Sequence, residues 1–293
     1  MGLLPGVLAC LPVGLGREIC AGIGTLGFWW VGRDRRLARA NLERVYPEWS
    51  ASKVEATARA VFRELGRNVF DFLRYPDLSP DARRTLVLLE GGEHLEVLRR
   101  DGRGAVIVTA HYGAFEILAG RLVLDGHPLV AMARPLRERR LEARLSRHRA
   151  RMGVPTFPSS QSPLAAVRHL KAGGFLGVLM DQRPKSGGVI VRFFGQPTRM
   201  TEAPARLAQA TGTPLVPVVI RRLADHRHEA RVLDPIPAPA TRSVSDLTQE
   251  LASCLEGEIR ACPEQWMWFH PRWPNAGGDL SSSHHEEPAC AAH

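Results

Sequence analysis

The feature that most constrains this chain is an alternation that begins near Gly102. Short β-rich runs (Ala105 to Thr109, Leu129 to Ala133, Phe175 to Met180, Val189 to Phe194, Leu215 to Ile220) take turns with helix-like stretches near 115 to 125, 136 to 152, 163 to 172 and 202 to 211. Strands separated by helices cannot pair as hairpins and must cross over to lie parallel, so the pattern predicts an α/β domain whose mixed sheet is largely parallel and flanked by helices. Residues 244 to 262 also read as helical. Upstream, Ser52-Lys53-Val54-Glu55 is a capping-box pattern, and Val54, Ala58, Val61, Phe62, Leu65, Val69, Phe72 and Leu73 recur at helical spacing up to Pro76.

The amino-terminal end is different. The first 32 residues hold only two charges, Arg17 and Glu18, and Arg33, Arg35, Arg36, Arg39 and Arg44 follow at once. This reads as a membrane-contacting segment backed by cytoplasmic arginines. Its glycines and prolines weaken a helix, so spanning the bilayer and lying on it both stay open. No basic stretch precedes the apolar run, which argues against a secretory signal. The domain reading is an apolar segment over 1–32, an α/β domain over 33–275 that includes a helical part at 33–100, and a disordered tail over 276–293 whose composition lacks large apolar residues. His284, His285 and His293 belong to that solvated end.

The formal charge of +9 over 293 residues comes almost wholly from arginine and favours phosphate, anionic lipid, nucleic acid or an acidic carrier protein as partner. Arg137, Arg140, Arg144, Arg147 and Arg151 fall at three- and four-residue steps and make one helix face a basic stripe. The five cysteines lack the spacing of a metal site or a disulfide scaffold, which suits a reducing compartment. Gly22-Ile23-Gly24-Thr25-Leu26-Gly27 spells a dinucleotide fingerprint, but no strand precedes it, so the reading is rejected. His226 and His228 lack a third metal ligand and read as a polar turn.

The chemistry concentrates in Thr109-Ala110-His111-Tyr112-Gly113-Ala114-Phe115-Glu116, directly after an apolar strand. On one helix, side chains five apart point about 140° from each other and cannot meet. His111 is therefore expected in a loop that turns at Gly113, with Glu116 in the first helical turn as its orienting carboxylate. A carboxylate on one ring nitrogen makes the other a base, able to take a proton from a hydroxyl attacking a thioester. Arg134, after a β-like run, has a donor fork suited to phosphate, and Asp181 also ends an apolar run where it could border a pocket.

His111-x4-Glu116 and the blocks around it resemble the lipid A biosynthesis acyltransferase family, within the wider glycerolipid acyltransferase superfamily. The blocks are Asn41-Leu42 with Tyr46-Pro47-Glu48, Arg134-Pro135, Asp181-Gln182, Phe193-Phe194-Gly195, and Trp266-Met267-Trp268-Phe269-His270-Pro271-Arg272-Trp273. Ala114-Phe115 stands where the family often has Asn-Trp. The resemblance implies that His111 is the base and Glu116 its partner, with Arg134, Gly113, Asp181 and Gln182 contacting substrate and no metal or cofactor. It further implies an O-acyltransferase at the cytoplasmic face of a bacterial inner membrane. The donor would be acyl carrier protein or acyl-CoA, and the acceptor a glycolipid such as a lipid A precursor, a lysophospholipid or another membrane glycolipid. A non-catalytic basic membrane protein is the alternative from another class; nucleic acid is disfavoured by the apolar leading segment.

Overall fold

The computed structural model describes residues 12–133, 135–136, 138–158 and 163–273. Arg134 and the residues from 274 onward, including the expected tail, lie outside them.

Helix α1 (Val13–Trp30) runs antiparallel to the long helix α3 (Ala51–Arg74), with α2 (Gly32–Val45) between them in the chain. The glycines of α1 do not prevent the helix, and Gly24, with Gly66 of α3, allows its packing. A Cβ at Gly24 would lie 2.1 Å from the Phe62 carbonyl oxygen, and one at Gly66 would lie 2.1 Å from that of Cys20. The helices therefore meet backbone to backbone, and the propensity cost of about 1 kcal/mol per glycine is offset by close contact. Both charges of α1 are spent on α3: Arg17 pairs with Asp71, and Glu18 with Arg63 and Arg67. Ser50, not Ser52, caps α3, its hydroxyl accepting from the Lys53 amide.

After α4 (Pro80–Leu86) the sheet begins. Its strands are β1 (Val87–Glu90), β2 (Ala105–Thr109), β3 (Leu129–Ala133), β4 (Thr156–Pro158), β5 (Phe175–Leu179), β8 (Leu215–Arg222) and β9 (His228–Val232). Their order is β1-β9-β8-β2-β5-β3-β4, parallel throughout except for the β8–β9 pair. This is the mixed, largely parallel sheet expected. The intervening helices are α5 (Gly92–Arg100), α6 (Phe115–Leu124), α7 (Arg139–Arg151), α8 (Pro163–Lys171), α9 (Ala203–Thr211) and α10 (Val244–Ala261). Val189–Phe193 and Gln196–Met200, β6 and β7, pair only with each other as an antiparallel ribbon, so the fourth β-like run is outside the main sheet. His228 is fully buried in β9 rather than in a polar turn; His226 alone occupies the turn, at φ 68°.

Two cores cover the two faces of the sheet. One is aromatic-rich, where Phe193, Phe194, Trp266, Trp268 and Trp273 stack among themselves. Phe193 and Phe194 are thus core residues. Asn41 on α2 ties the closing segment down, donating to the carbonyls of Trp268 (2.7 Å) and His270 (2.8 Å).

Candidate active site

β2 is paired on both edges, parallel to β5 and to β8, and four of its five residues are buried. That explains its unbroken apolar run. The register sets Thr109 opposite Leu179, and the Met180 amide bonds to the Thr109 carbonyl at 3.1 Å. The two chains stay in step for two more residues, so His111 and Asp181 arrive side by side at the carboxyl end of the sheet, where open α/β folds hold ligands.

Asp181 is buried and its carboxylate is saturated. Oδ1 lies 2.8 Å from His111 Nδ1, while Oδ2 accepts from the His111 amide (3.0 Å) and from Trp266 Nε1 (2.8 Å). Burial opposes the charge on Asp181, but His111 and these donors outweigh it and hold the carboxyl down at about 2. Burial likewise opposes the imidazolium of His111; the charge and hydrogen bond of Asp181, with a further pull from Glu116, outweigh it and raise the pKa of His111. A carboxylate can only accept, so Nδ1 carries the proton and Nε2 the lone pair. Gln182 Nε2 sits 3.3 Å from His111 Nε2, in position to donate to that lone pair until a hydroxyl replaces it.

The loop under His111 is clamped. Gly113 stands at φ +55°, and a Cβ there would fall 1.9 Å from the Ile220 carbonyl oxygen, so glycine is required. Its amide donates to the Gln265 carbonyl (2.8 Å), Tyr112 bridges to Trp266, and the Met267 amide donates to the His111 carbonyl (3.2 Å). Phe115 meets the imidazole edge-on at 5.0 Å. Gly113 thus acts through the backbone.

Glu116 does not reach the imidazole by hydrogen bond. It lies in the first turn of α6, and a fork from Arg149 on α7 grips both its oxygens, Nε to Oε2 at 3.0 Å and Nη2 to Oε1 at 2.5 Å. The carboxylate on Nδ1 is Asp181, because strand register brings residues 70 apart closer than five-residue spacing does. Glu116 still lines a cavity of about 150 Å³ with Gly113, Phe115, Leu65, Phe72 and Met267, and its charge acts on His111. Arg149 is a site residue that sequence reasoning missed, and Trp266, which opens the closing aromatic block, was not assigned to the site. Arg149 was legible only as the arginine on the opposite side of α7 from the basic stripe. Behind the site the fully buried Arg272 lies over the Phe193 ring and donates to the Arg199 carbonyl at 3.0 Å. Its pKa is depressed to about 10 by burial, with Asp181 counteracting.

A histidine whose Nδ1 faces a buried carboxylate and whose Nε2 faces the open side is an arrangement that can serve as a general base on an α/β sheet. Residues 3–275 match the model of the bacterial lipid A biosynthesis acyltransferases, and the chain belongs to that family. It is 28% identical over 251 residues to a phosphatidylinositol mannoside acyltransferase of Mycobacterium tuberculosis, covering 84% of this chain and 78% of the relative. The lipid A biosynthesis palmitoleoyltransferase of Escherichia coli is 26% identical over 254 residues (86% and 82%), and the lauroyltransferase of the same organism 24% over 269 (90% and 86%). The chain is an acyltransferase of this family.

Proposed function

We propose that this protein transfers a fatty acyl group from a thioester donor, acyl carrier protein or acyl-CoA, to a hydroxyl of a membrane glycolipid such as a lipid A precursor. The observation that carries the reading is the Asp181–His111 pair, with Nδ1 occupied and Nε2 free to accept a proton. The acceptor hydroxyl displaces the Gln182 contact and gives its proton to Nε2 as its oxygen attacks the thioester carbon. The tetrahedral oxyanion collapses, the carbon–sulfur bond breaks, and the imidazolium returns the proton to the departing thiolate. Asp181 stabilises the cation that exists between the two transfers. Glu116, gripped by Arg149, keeps a negative charge beside that cation. The apolar wall of Leu65, Val69 and Phe72 supports a role for the adjoining cavity in holding the first carbons of the chain. Arg134 remains a candidate for the substrate's phosphate. The relatives are named for two glycolipids, lipid A and phosphatidylinositol mannoside, which supports a glycolipid acceptor over a lysophospholipid.

The test is direct: labelled acyl thioester and candidate lipids are incubated with the purified chain, and the product ester is read by mass spectrometry. A new lipid ester with stoichiometric free thiol is expected; no thioester consumption with any glycolipid would sink the reading.

The same proposal places the enzyme on the cytoplasmic side of a bacterial inner membrane through α1. Among the described residues no helix is long and apolar enough to cross a bilayer. Yet Leu15, Ile23, Leu26 and Trp30 form one exposed stripe along α1, Trp30 at 84% exposure, with the arginines of α2 next in the chain. Such a helix suits lying in the interface, its stripe in the acyl boundary and the arginines at headgroup level. Ile23→Glu with Leu26→Glu should abolish co-flotation with anionic vesicles, since each lost apolar contact is worth about 1.5–3 kcal/mol, or roughly tenfold or more in partitioning. Unchanged flotation would place the membrane contact elsewhere.

A further inference from the structure

Helix α7 is attached to the rest of the molecule in an unusual way. None of its residues is buried. It is held by side-chain contacts: Arg149 on Glu116, His148 Nε2 with the Phe72 carbonyl at 2.7 Å, and an Arg151–Asp77 ion pair. Beneath it lies a cleft of about 400 Å³, floored by Phe70, Phe72 and Leu73 of α3 and walled by Leu141 and Leu145 of α7. Phe72 also lines the cavity beside Phe115 and Glu116, so cleft and catalytic cavity adjoin across one ring.

Arg144 and Arg151 line the same cleft. With Arg140 and Arg147 they fall within about 60° on a helical projection. All four are exposed, and among the described residues Arg140, Arg144 and Arg147 have no carboxylate partner in an ion pair. Unneutralised like charges along one helix raise its self-repulsion, which an acidic partner would relieve.

We propose that this stripe is the docking surface for an acidic protein that carries the acyl thioester, seated so that its prosthetic arm enters the cleft under α7 and runs past Phe72 to His111. The proposal rests on the acyl-thioester reading above and chooses between its two donors. A protein partner fits better than a lipid surface because the leucines of α7 line the cleft and leave the arginine stripe without an apolar face of its own to insert. The apolar stripe that a bilayer would take belongs to α1. The inner side of α7 grips Glu116, so a partner on its outer side sits one helix width from the reacting groups.

The test uses the full chain with Arg140→Glu and Arg147→Glu, neither of which lines the cleft. Two donors are compared, one long-chain acyl group on bacterial acyl carrier protein and on free pantetheine, and binding to phosphatidylcholine vesicles with and without phosphatidylglycerol is followed in parallel. The KM for the carrier-borne donor should rise about 10- to 100-fold, with the milder Arg→Gln pair intermediate, while turnover of the pantetheine ester and vesicle binding hold. Added salt should weaken the wild type towards the variant. An unchanged KM for the carrier-borne donor overturns the docking, as does a wild type that uses the pantetheine ester alone. A variant that loses anionic-vesicle binding instead of carrier recognition assigns the stripe to lipid and also overturns it. A wild type that uses neither donor overturns the acyl-transfer reading itself.

Discussion

Asp181→Asn is expected to slow acyl transfer about 10³–10⁴-fold with the fold intact, as much as His111→Ala, and the double variant should be scarcely slower than either single one. The reason is a donor count. The carboxylate accepts three N–H groups, one on Oδ1 and two on Oδ2. An Asn amide best satisfies them with its oxygen at the Oδ2 position, where the His111 amide and Trp266 converge, and this turns its NH2 group on Nδ1. The imidazole must then accept at Nδ1 and carry its proton on Nε2, which removes the base from the side where the hydroxyl arrives. The pH profile separates this from simple damage. In the wild type the neutral imidazole is the working form, and its pKa is raised because Asp181 outweighs burial. The rate should therefore fall as pH drops through a value above about 6.5, the ordinary histidine pKa. In Asp181→Asn only burial and the weaker pull of Glu116 remain, and the acid limb should move to lower pH while the plateau collapses. An Asn variant within tenfold of wild type, with an unmoved acid limb, would mean that Asp181 merely packs the loop.

Much of this architecture was legible. β2 and β3 begin and end where their apolar runs do, and α6 to α10 occupy the helix-like stretches to within a few residues. What escaped has a common cause, which is that sequence spacing reports neighbours along the chain and not across it. His111 and Glu116 suggested each other because they are five apart, whereas the partner of His111 is delivered by a strand pairing that nothing local specifies. Asp181 was visible as a strand-end acid, but not as the acid facing His111. β1 escaped because it is only four residues long, and β9 because Glu229 and Arg231 interrupt its apolar positions; each becomes a strand by pairing with the other. The two charges in the apolar leading segment were read against a bilayer; Arg17 is in fact bound to α3 inside the protein.

That last contact carries the largest expected effect on stability. Asp71 on α3 is 2% exposed and binds three partners from three elements: Arg17 of α1 at 3.1 and 3.2 Å, Arg222 of β8 at 2.6 Å and His228 of β9 at 3.0 Å. Arg222 in turn reaches Glu64 and Asn68. The cluster bolts the α1–α3 pair to the antiparallel β8–β9 pair of the sheet. Asp71→Ala would leave the Arg17 guanidinium in a dry interior without its anion and Arg222 with Glu64 alone, at a cost of about 3–5 kcal/mol, a large share of the 5–15 kcal/mol typical of a whole domain. Urea unfolding followed by circular dichroism should show the midpoint falling steeply. Adding Arg17→Met should restore part of the loss, because it removes one stranded charge. Acid should act on the same cluster. Burial opposes ionisation of Asp71, but the His228 hydrogen bond and the charges of Arg222 and Arg17 outweigh it and hold its pKa well below the carboxylate range. Its contribution is therefore present above about pH 3.9 and lost as pH falls through the folded value. Burial lowers the pKa of His228, which stays neutral in the fold while the unfolded chain takes up a proton below about pH 6.5, so stability from this source declines as pH drops from there. His228→Gln should flatten that part of the curve. A loss under about 1 kcal/mol in Asp71→Ala would mean that water enters to solvate the arginines, and that packing at Gly24 and Gly66, rather than the ion cluster, holds α1 in place.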